Sequence, residues 1–116
     1  MIIDHIAIRA EDIKKSAEWY KEKLGAKVTY LDDYYIRLTT HNSTIAIIDK
    51  NKYPHEHIGV LVDSIEDLPS DGTRANHRDG TVSVFCEGPE GKYIEFIYYS
   101  EELRSKFVTY AYSKND

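Results

Sequence analysis

Two histidines and one glutamate occupy positions from which they could bind a metal ion together. His5 and His57 each open an apolar run, and Glu95 lies within a third. Side chains alternate across a β-strand, so all three face the same way if the neighbouring isoleucines pack on the opposite face. Two histidines and one carboxylate form the facial ligand set of non-haem iron(II) sites, which keep coordination positions open. The pattern therefore predicts a three-ligand metal site.

An internal repeat supports this interpretation. Asp4-His5-Ile6-Ala7-Ile8 is echoed by Glu56-His57-Ile58-Gly59-Val60 after 52 residues. When residues 94–96 are aligned with residues 45–47, Ala46 occupies the position that matches Glu95. The protein would then supply three ligands, whereas a closed structural zinc site needs four and usually uses thiolates. Each residue alone could be an ordinary surface histidine or an ion-paired glutamate, and the symmetry favours the metal site.

The repeat predicts an α+β fold of two related modules, and the pattern of the first module predicts the element order βαβββ. The modules cover about residues 1–52 and 53–99 of a single domain, 1–116. Ile6 and Ile8 are expected to pack against the module helix. The residues expected to pack in the matching strands are Ile58, Val60, Val62, Ile94 and Phe96. Asp12 and Gly25 should cap the first helix, whereas Pro69 and Gly72 should cut the second one short. The predicted strands are 2–8, 27–30, 34–38, 44–48, 58–62, 81–86 and 93–99, and the predicted helices include 12–24 and 100–112.

Composition narrows the class of protein. The chain has 116 residues, a formal net charge of −5 and one cysteine, Cys86. The acidic balance argues against nucleic acid as a partner, and no apolar run could span a membrane. The single cysteine points to a reducing compartment, and the N-terminal residues lack a signal-peptide pattern, so we expect a cytoplasmic protein.

At this point the sequence resembles the vicinal oxygen chelate superfamily, the group of glyoxalases, bleomycin-resistance proteins and extradiol dioxygenases. The resemblance covers about residues 2–99. The first repeat unit, followed by Trp19-Tyr20 and Leu24-Gly25, is similar to the opening module of that family. His57-Ile58-Gly59-Val60 is similar to the start of its second module. The resemblance implies two βαβββ modules that form an open, barrel-like mixed sheet around a divalent metal. By position, it implies that His5, His57 and Glu95 bind this metal.

Within that superfamily, His77 followed by residues 84–95 is similar to the extradiol ring-cleavage dioxygenase signature. The segment that begins at His41 resembles a family stretch whose histidine faces the oxygen-binding side. The resemblance implies iron(II), with manganese, nickel or zinc as alternatives, and a catechol-like aromatic substrate that reacts with O₂. His77 and His41 are the candidate acid–base residues, since imidazole titrates near neutrality. Phe85 departs from the signature, which has a substrate-contacting tyrosine there.

Two other functions remain open. A fosfomycin-resistance thiol transferase also uses two histidines and a glutamate, and Arg104 resembles its phosphonate-contacting arginine. Ala7, Asp79 and Phe85 stand where that family has polar contacts. A metal-free drug-binding module of the bleomycin-resistance type is the second alternative. His55 is expected to be exposed, and Tyr93 and Ile97 could line the cavity. A homodimer is the family default, and an aromatic surface is available for it, formed by Tyr98, Tyr99, Phe107, Tyr110 and Tyr112.

Overall fold

The computed structural model describes residues 2–77 and 80–103. Within these ranges the structure has one long helix and eight strands. In chain order they are β1 (Ile2–Ala10), α1 (Ile13–Leu24), β2 (Lys27–Leu31), β3 (Tyr35–Thr39), β4 (Thr44–Asp49), β5 (His57–Val62), β6 (Thr73–Asn76), β7 (Val82–Glu87) and β8 (Tyr93–Tyr98). Two short 3₁₀ turns, Ile65–Asp67 and Pro89–Gly91, lie between these strands.

The eight strands form one mixed sheet with the order β2-β3-β4-β1-β5-β8-β7-β6. Strand β1 runs parallel to β4, and β5 runs parallel to β8 in the matching place. The two halves meet where β1 and β5 pair antiparallel. This order is symmetric about that pairing, so the predicted α+β fold with two related modules and an open sheet is confirmed.

The first module is covered on its outer face by α1. Asp12 caps the helix by accepting a hydrogen bond from the backbone N–H of Lys15, and Gly25 ends it in the left-handed conformation at φ 64°. Ile13 and Ala17 of the helix pack against a buried cluster that includes Leu38 and Ile47. Both predicted caps are therefore confirmed, and the helix closes one core of the protein.

In the described part of the chain, the second module has no long helix over its outer face. Its counterpart of α1 is the 3₁₀ turn Ile65–Asp67, which Ser64 caps through the backbone N–H of Glu66. The chain then passes close to the sheet at Gly72, where an added Cβ would lie 2.4 Å from Val84 Cγ1. A glycine is needed there because any side chain would push this segment away from β7. The predicted shortening of the second helix is thus observed.

The structure corrects several expectations. Ile6, Ile58 and Ile94 form a row of paired residues on the outer face but remain 41%, 42% and 36% exposed, so they are not core residues. Within residues 2–77 and 80–103 no helix lies over them, so their strand parity does not lead to burial there. Strand β6 was not predicted, because Thr-Arg-Ala-Asn carries little apolar signal.

Only the beginning of the predicted C-terminal helix can be described. Ser100 Oγ accepts a hydrogen bond from the backbone N–H of Leu103 at 3.3 Å, as a cap would. Helical turns occupy residues 101–103, and the remainder of the prediction lies outside the described residues. Across the described ranges, no helix has the length and apolar character needed to cross a bilayer.

Candidate metal centre

The register of three adjacent strands brings the predicted ligands together. His5 of β1 is paired with Gly59 of β5, and Gly59 is paired with Glu95 of β8. Gly59 lies between the two side chains and leaves room for them. An added Cβ at Gly59 would lie only 2.2 Å from Cε1 of His5, so the imidazole ring occupies the space that a side chain would fill. His57 lies two residues before Gly59 and projects from the same face.

The three donor atoms are spaced as ligands of a single ion would be. His5 Nε2 lies 3.0 Å from His57 Nε2 and 3.1 Å from Glu95 Oε1, and His57 Nε2 lies 3.4 Å from Glu95 Oε1. Ligands about 2.1 Å from an ion and at right angles to one another lie about 3 Å apart. The donor set and its spacing therefore fit a divalent metal on one triangular face.

The fourth position of the symmetric scaffold carries a methyl group. Ala7 is paired with Ala46 in the first module as Gly59 is paired with Glu95 in the second. Because Ala7 and Gly59 are 52 residues apart, as His5 and His57 are, Ala46 is the structural counterpart of Glu95. Ala46 is buried at 1% exposure and has no donor atom. Among the residues that the structure describes, three side chains rather than four are grouped as candidate ligands at this centre.

Asp4 orients the imidazole ring of His5. Its Oδ2 lies 2.9 Å from His5 Nδ1, and the hydroxyl of Tyr99 donates to the same oxygen at 3.4 Å. A proton on Nδ1 leaves the Nε2 lone pair directed at the metal position, which is the usual arrangement of a carboxylate behind a metal-binding histidine. The structure thus places Tyr99, expected on an outer aromatic surface, at the inner site.

The charges at the centre favour a cation. Burial lowers the pKa of His5, but the hydrogen bonds to Asp4 and Glu95 outweigh it and raise the pKa to about 9. Burial raises the pKa of Glu95, but the hydrogen bonds from His5 and His57 outweigh it and lower the pKa to about 2. Glu95 is therefore an anion although it is only 7% exposed. The Glu95 carboxylate faces this small space and the Asp4 carboxylate lies behind His5, so a positive charge is stabilised there.

A cavity of about 650 Å³ opens in front of the three ligands. Its walls are mostly apolar or aromatic, and Ala7 and Ala46 form its floor beside the metal position. Tyr35 lies on the wall, and burial raises the pKa of its hydroxyl to about 12, so the hydroxyl stays protonated. Such a cavity, with a few polar groups in apolar walls, is typical of small-molecule sites.

Comparison with known proteins agrees with this architecture. Residues 2–96 match the family described as the Glyoxalase/Bleomycin resistance protein/Dioxygenase superfamily. The chain belongs to this superfamily. No curated protein is recognisably similar to the chain in sequence.

Solved structures of the same superfamily share the fold. A member from Vibrio splendidus 12B01 is 15% identical, covers 82% of this chain and 97% of its own, and has a TM-score of 0.63. A methylmalonyl-CoA epimerase from Mycobacterium tuberculosis is 14% identical, covers 89% and 91%, and also has a TM-score of 0.63. The epimerase from Streptomyces coelicolor is 17% identical, covers 84% and 96%, and has a TM-score of 0.59. At these identities the likeness shows the fold alone.

Only one of the two predicted acid–base residues, His77, lies at the cavity. His77 lines it, and its Nε2 lies 2.8 Å from Oγ of the fully buried Ser83. The backbone N–H of His77 also donates to the carbonyl oxygen of Thr81 at 2.9 Å, which holds His77 beside the residue that precedes β7. His41 is exposed between β3 and β4 and does not line the cavity.

The prediction that His55 is exposed is wrong. Instead of being exposed, it is half-buried and lines the cavity. Its ring stacks on Tyr93 at 3.6 Å between centroids with an interplanar angle of 5°, and it meets Phe85 edge-on at 5.7 Å. Phe85 in turn meets His57 edge-on at 5.3 Å. These rings support His57, the second candidate metal-binding histidine. Ile97 lines the cavity as expected, whereas Tyr93 is turned towards a neighbouring cavity.

Replacement of Gly59 by alanine should damage the site directly. We expect Gly59→Ala to displace the His5 ring, weaken metal binding, and lower the free energy of unfolding by about 1–3 kcal/mol through overpacking. Metal titration and denaturant unfolding measure both effects. Gly88→Ala is the matched control, because its Cβ would lie 3.4 Å from the nearest atom, an ordinary contact. Equal metal affinity in both variants would contradict the placement of Gly59 beneath His5.

Metal affinity should fall in a graded order across three variants. His57→Ala removes a ligand and should weaken binding by more than about 100-fold, whereas Asp4→Asn removes only an orienting group and should cost about 10–100-fold. His41→Ala serves as the control, since His41 lies away from the centre. Isothermal titration with zinc(II) or nickel(II) gives the dissociation constants. Unchanged affinity in His57→Ala would exclude the assigned ligand set.

Proposed function

We propose that the protein is a metal-dependent dioxygenase of the extradiol type, which cleaves a catechol-like aromatic ring with O₂. The observation that carries the proposal is the arrangement of three donors about 3 Å apart, with Ala46 at the fourth position and an aromatic cavity in front. Three protein ligands leave several coordination positions for two substrate oxygens and O₂. A fourth ligand would reduce that number.

The residues of the chain have distinct tasks in this proposal. His5, His57 and Glu95 would hold the ion, which would most naturally be iron(II), with manganese, nickel or zinc as alternatives. When bound, iron(II) supplies alignment of the two substrates and exchange of electron density between them. Phe85 and Ile97 exclude water and present an apolar surface to a planar ring. Asp4 keeps the Nε2 lone pair of His5 directed at the ion.

His77 is the proposed acid–base residue. Its Nε2 is engaged by Ser83 Oγ, so Nδ1 is the ring nitrogen that remains for exchange of a proton with a catechol hydroxyl. A positioned imidazole of this kind contributes roughly 100- to 10,000-fold to rate. Phe85 stands where the signature has a tyrosine, so another cavity-lining hydroxyl would have to contact the substrate, and the phenol of Tyr35 is one such group.

Oxygen consumption tests the function. We expect anaerobically iron-loaded protein to bind one equivalent of iron(II) and to take up O₂ with a catechol panel, forming a yellow ring-fission product. Elemental analysis, an oxygen electrode and absorption spectra are the measurements. Metal binding without catechol-dependent uptake would contradict the dioxygenase and favour the thiol transferase. Failure to bind any metal would favour the drug-binding module.

Kinetics of two variants can distinguish His77 from His41, the other candidate acid–base residue. We expect His77→Gln to lower kcat by roughly 100-fold or more, since general acid–base catalysis is lost. Metal affinity should remain, because His77 is not a ligand. His41→Gln is measured in parallel. A larger loss of kcat in His41→Gln than in His77→Gln would assign the acid–base role to the β3–β4 turn instead.

A further inference from the structure

A second cavity adjoins the metal cavity where β1 and β5 separate. Strand β1 pairs with β5 only as far as Ala7, which is opposite His57, yet it continues to Ala10 beside β4. The chain before His57 turns away at Pro54, so the sheet opens beyond this pair. A cavity of about 570 Å³ fills the opening, bounded on its other side by the start of β8.

The two cavities share a wall. Ala7, Pro54, His55 and His57 line both of them. One of these residues is a metal-ligating histidine, and another is the histidine stacked on Tyr93. Ala7 contributes only a methyl group to this wall. A ligand whose reactive end lies at the metal position could therefore extend a short chain past the small Ala7 into the second cavity.

The second cavity carries an excess of positive charge in an acidic protein. Arg9 and Lys92 line it, together with one acid, Glu56. The carboxylate of Glu56 is already engaged, since its Oε2 accepts the backbone N–H of Arg9 at 3.0 Å. The guanidinium of Arg9 donates from Nη2 to the carbonyl oxygen of Lys50 at 2.8 Å, and its Nε is buried without an acceptor among the described residues. Neither cation forms a salt bridge with a carboxylate in residues 2–77 or 80–103.

We infer that the second cavity is a subsite for a carboxylate carried by the substrate on a short side chain. Arginine and lysine both recognise carboxylates through charge-assisted hydrogen bonds. This inference deepens the proposed function, because it gives the substrate of the same site a second part: an aromatic ring at the metal and an acid group between Arg9 and Lys92.

Binding of a matched pair of probes tests the subsite without any turnover. Phenylpropanoate and phenylpropanol share the ring and the chain length and differ in the terminal group. In an NMR titration at low salt we expect the acid to bind about tenfold more tightly than the alcohol. Lys92→Gln should abolish that preference, and Lys27→Gln, a control that removes an exposed lysine of β2 lining neither cavity, should retain it.

Arg9→Gln provides a second variant, used after its fold has been checked because Arg9 also holds the Lys50 carbonyl. Equal binding of acid and alcohol, absence of binding by both, or an acid preference that survives both Lys92→Gln and Arg9→Gln would overturn the subsite. The outcome is separable from the dioxygenase assay. An acid preference that depends on Lys92, together with no oxygen uptake on any catechol, would support the subsite and reject the ring-cleavage function.

Discussion

The antiparallel pairing of β1 with β5 is the constraint on which the site depends. It places His5 opposite Gly59, and the parallel pairing of β5 with β8 places Gly59 opposite Glu95. A slip of one residue in either pairing would turn ligands to the outer face of the sheet. The same pairing joins the two modules. The metal centre and the junction between the halves are thus the same part of the molecule.

Burying the polar side chains of the centre costs solvation free energy, and neighbouring hydrogen bonds offset this cost. An isolated carboxylate at the depth of Glu95 would favour its neutral form. The imidazoles of His5 and His57 reverse that preference, and Asp4 and Tyr99 complete the hydrogen bonds behind His5. His57 lacks such support, since its Nδ1 is buried with no partner in the described part of the chain. Aromatic contacts with Phe85 and His55 hold that ring instead.

Much of the fold and the grouping of the ligands could be predicted from the sequence, because they rest on periodic signals. A repeat of an acid, a histidine and an apolar run predicts both the module boundary and the common face of His5 and His57. The capping residues Asp12 and Gly25 are short-range signals of the same kind. The register between strands could be inferred only by aligning the two repeat units. That alignment gave the equivalence of Ala46 with Glu95.

The remaining features depend on tertiary contacts, which the residue pattern of a single strand does not encode. Ile6, Ile58 and Ile94 have the parity of core residues, yet no helix of the described ranges covers them, since the described part of the second module has only a 3₁₀ turn at the place of α1. His55 follows a proline in a polar segment, and its stacking on Tyr93 arises from strands far apart in the chain. The opening between β1 and β5 has no periodic signal in the sequence, because it depends only on where the pairing of these two strands ends.

The uneven origin of the three ligands has a thermodynamic consequence. One ligand, His5, comes from the first module, whereas His57 and Glu95 come from the second. An ion held by all three would bind only when the halves are docked, so its binding free energy would be added to the stability of their junction by mass action. Resistance to unfolding would then depend on the concentration of free metal in the surroundings, and the most sensitive amide hydrogens would be those along the line where β1 meets β5.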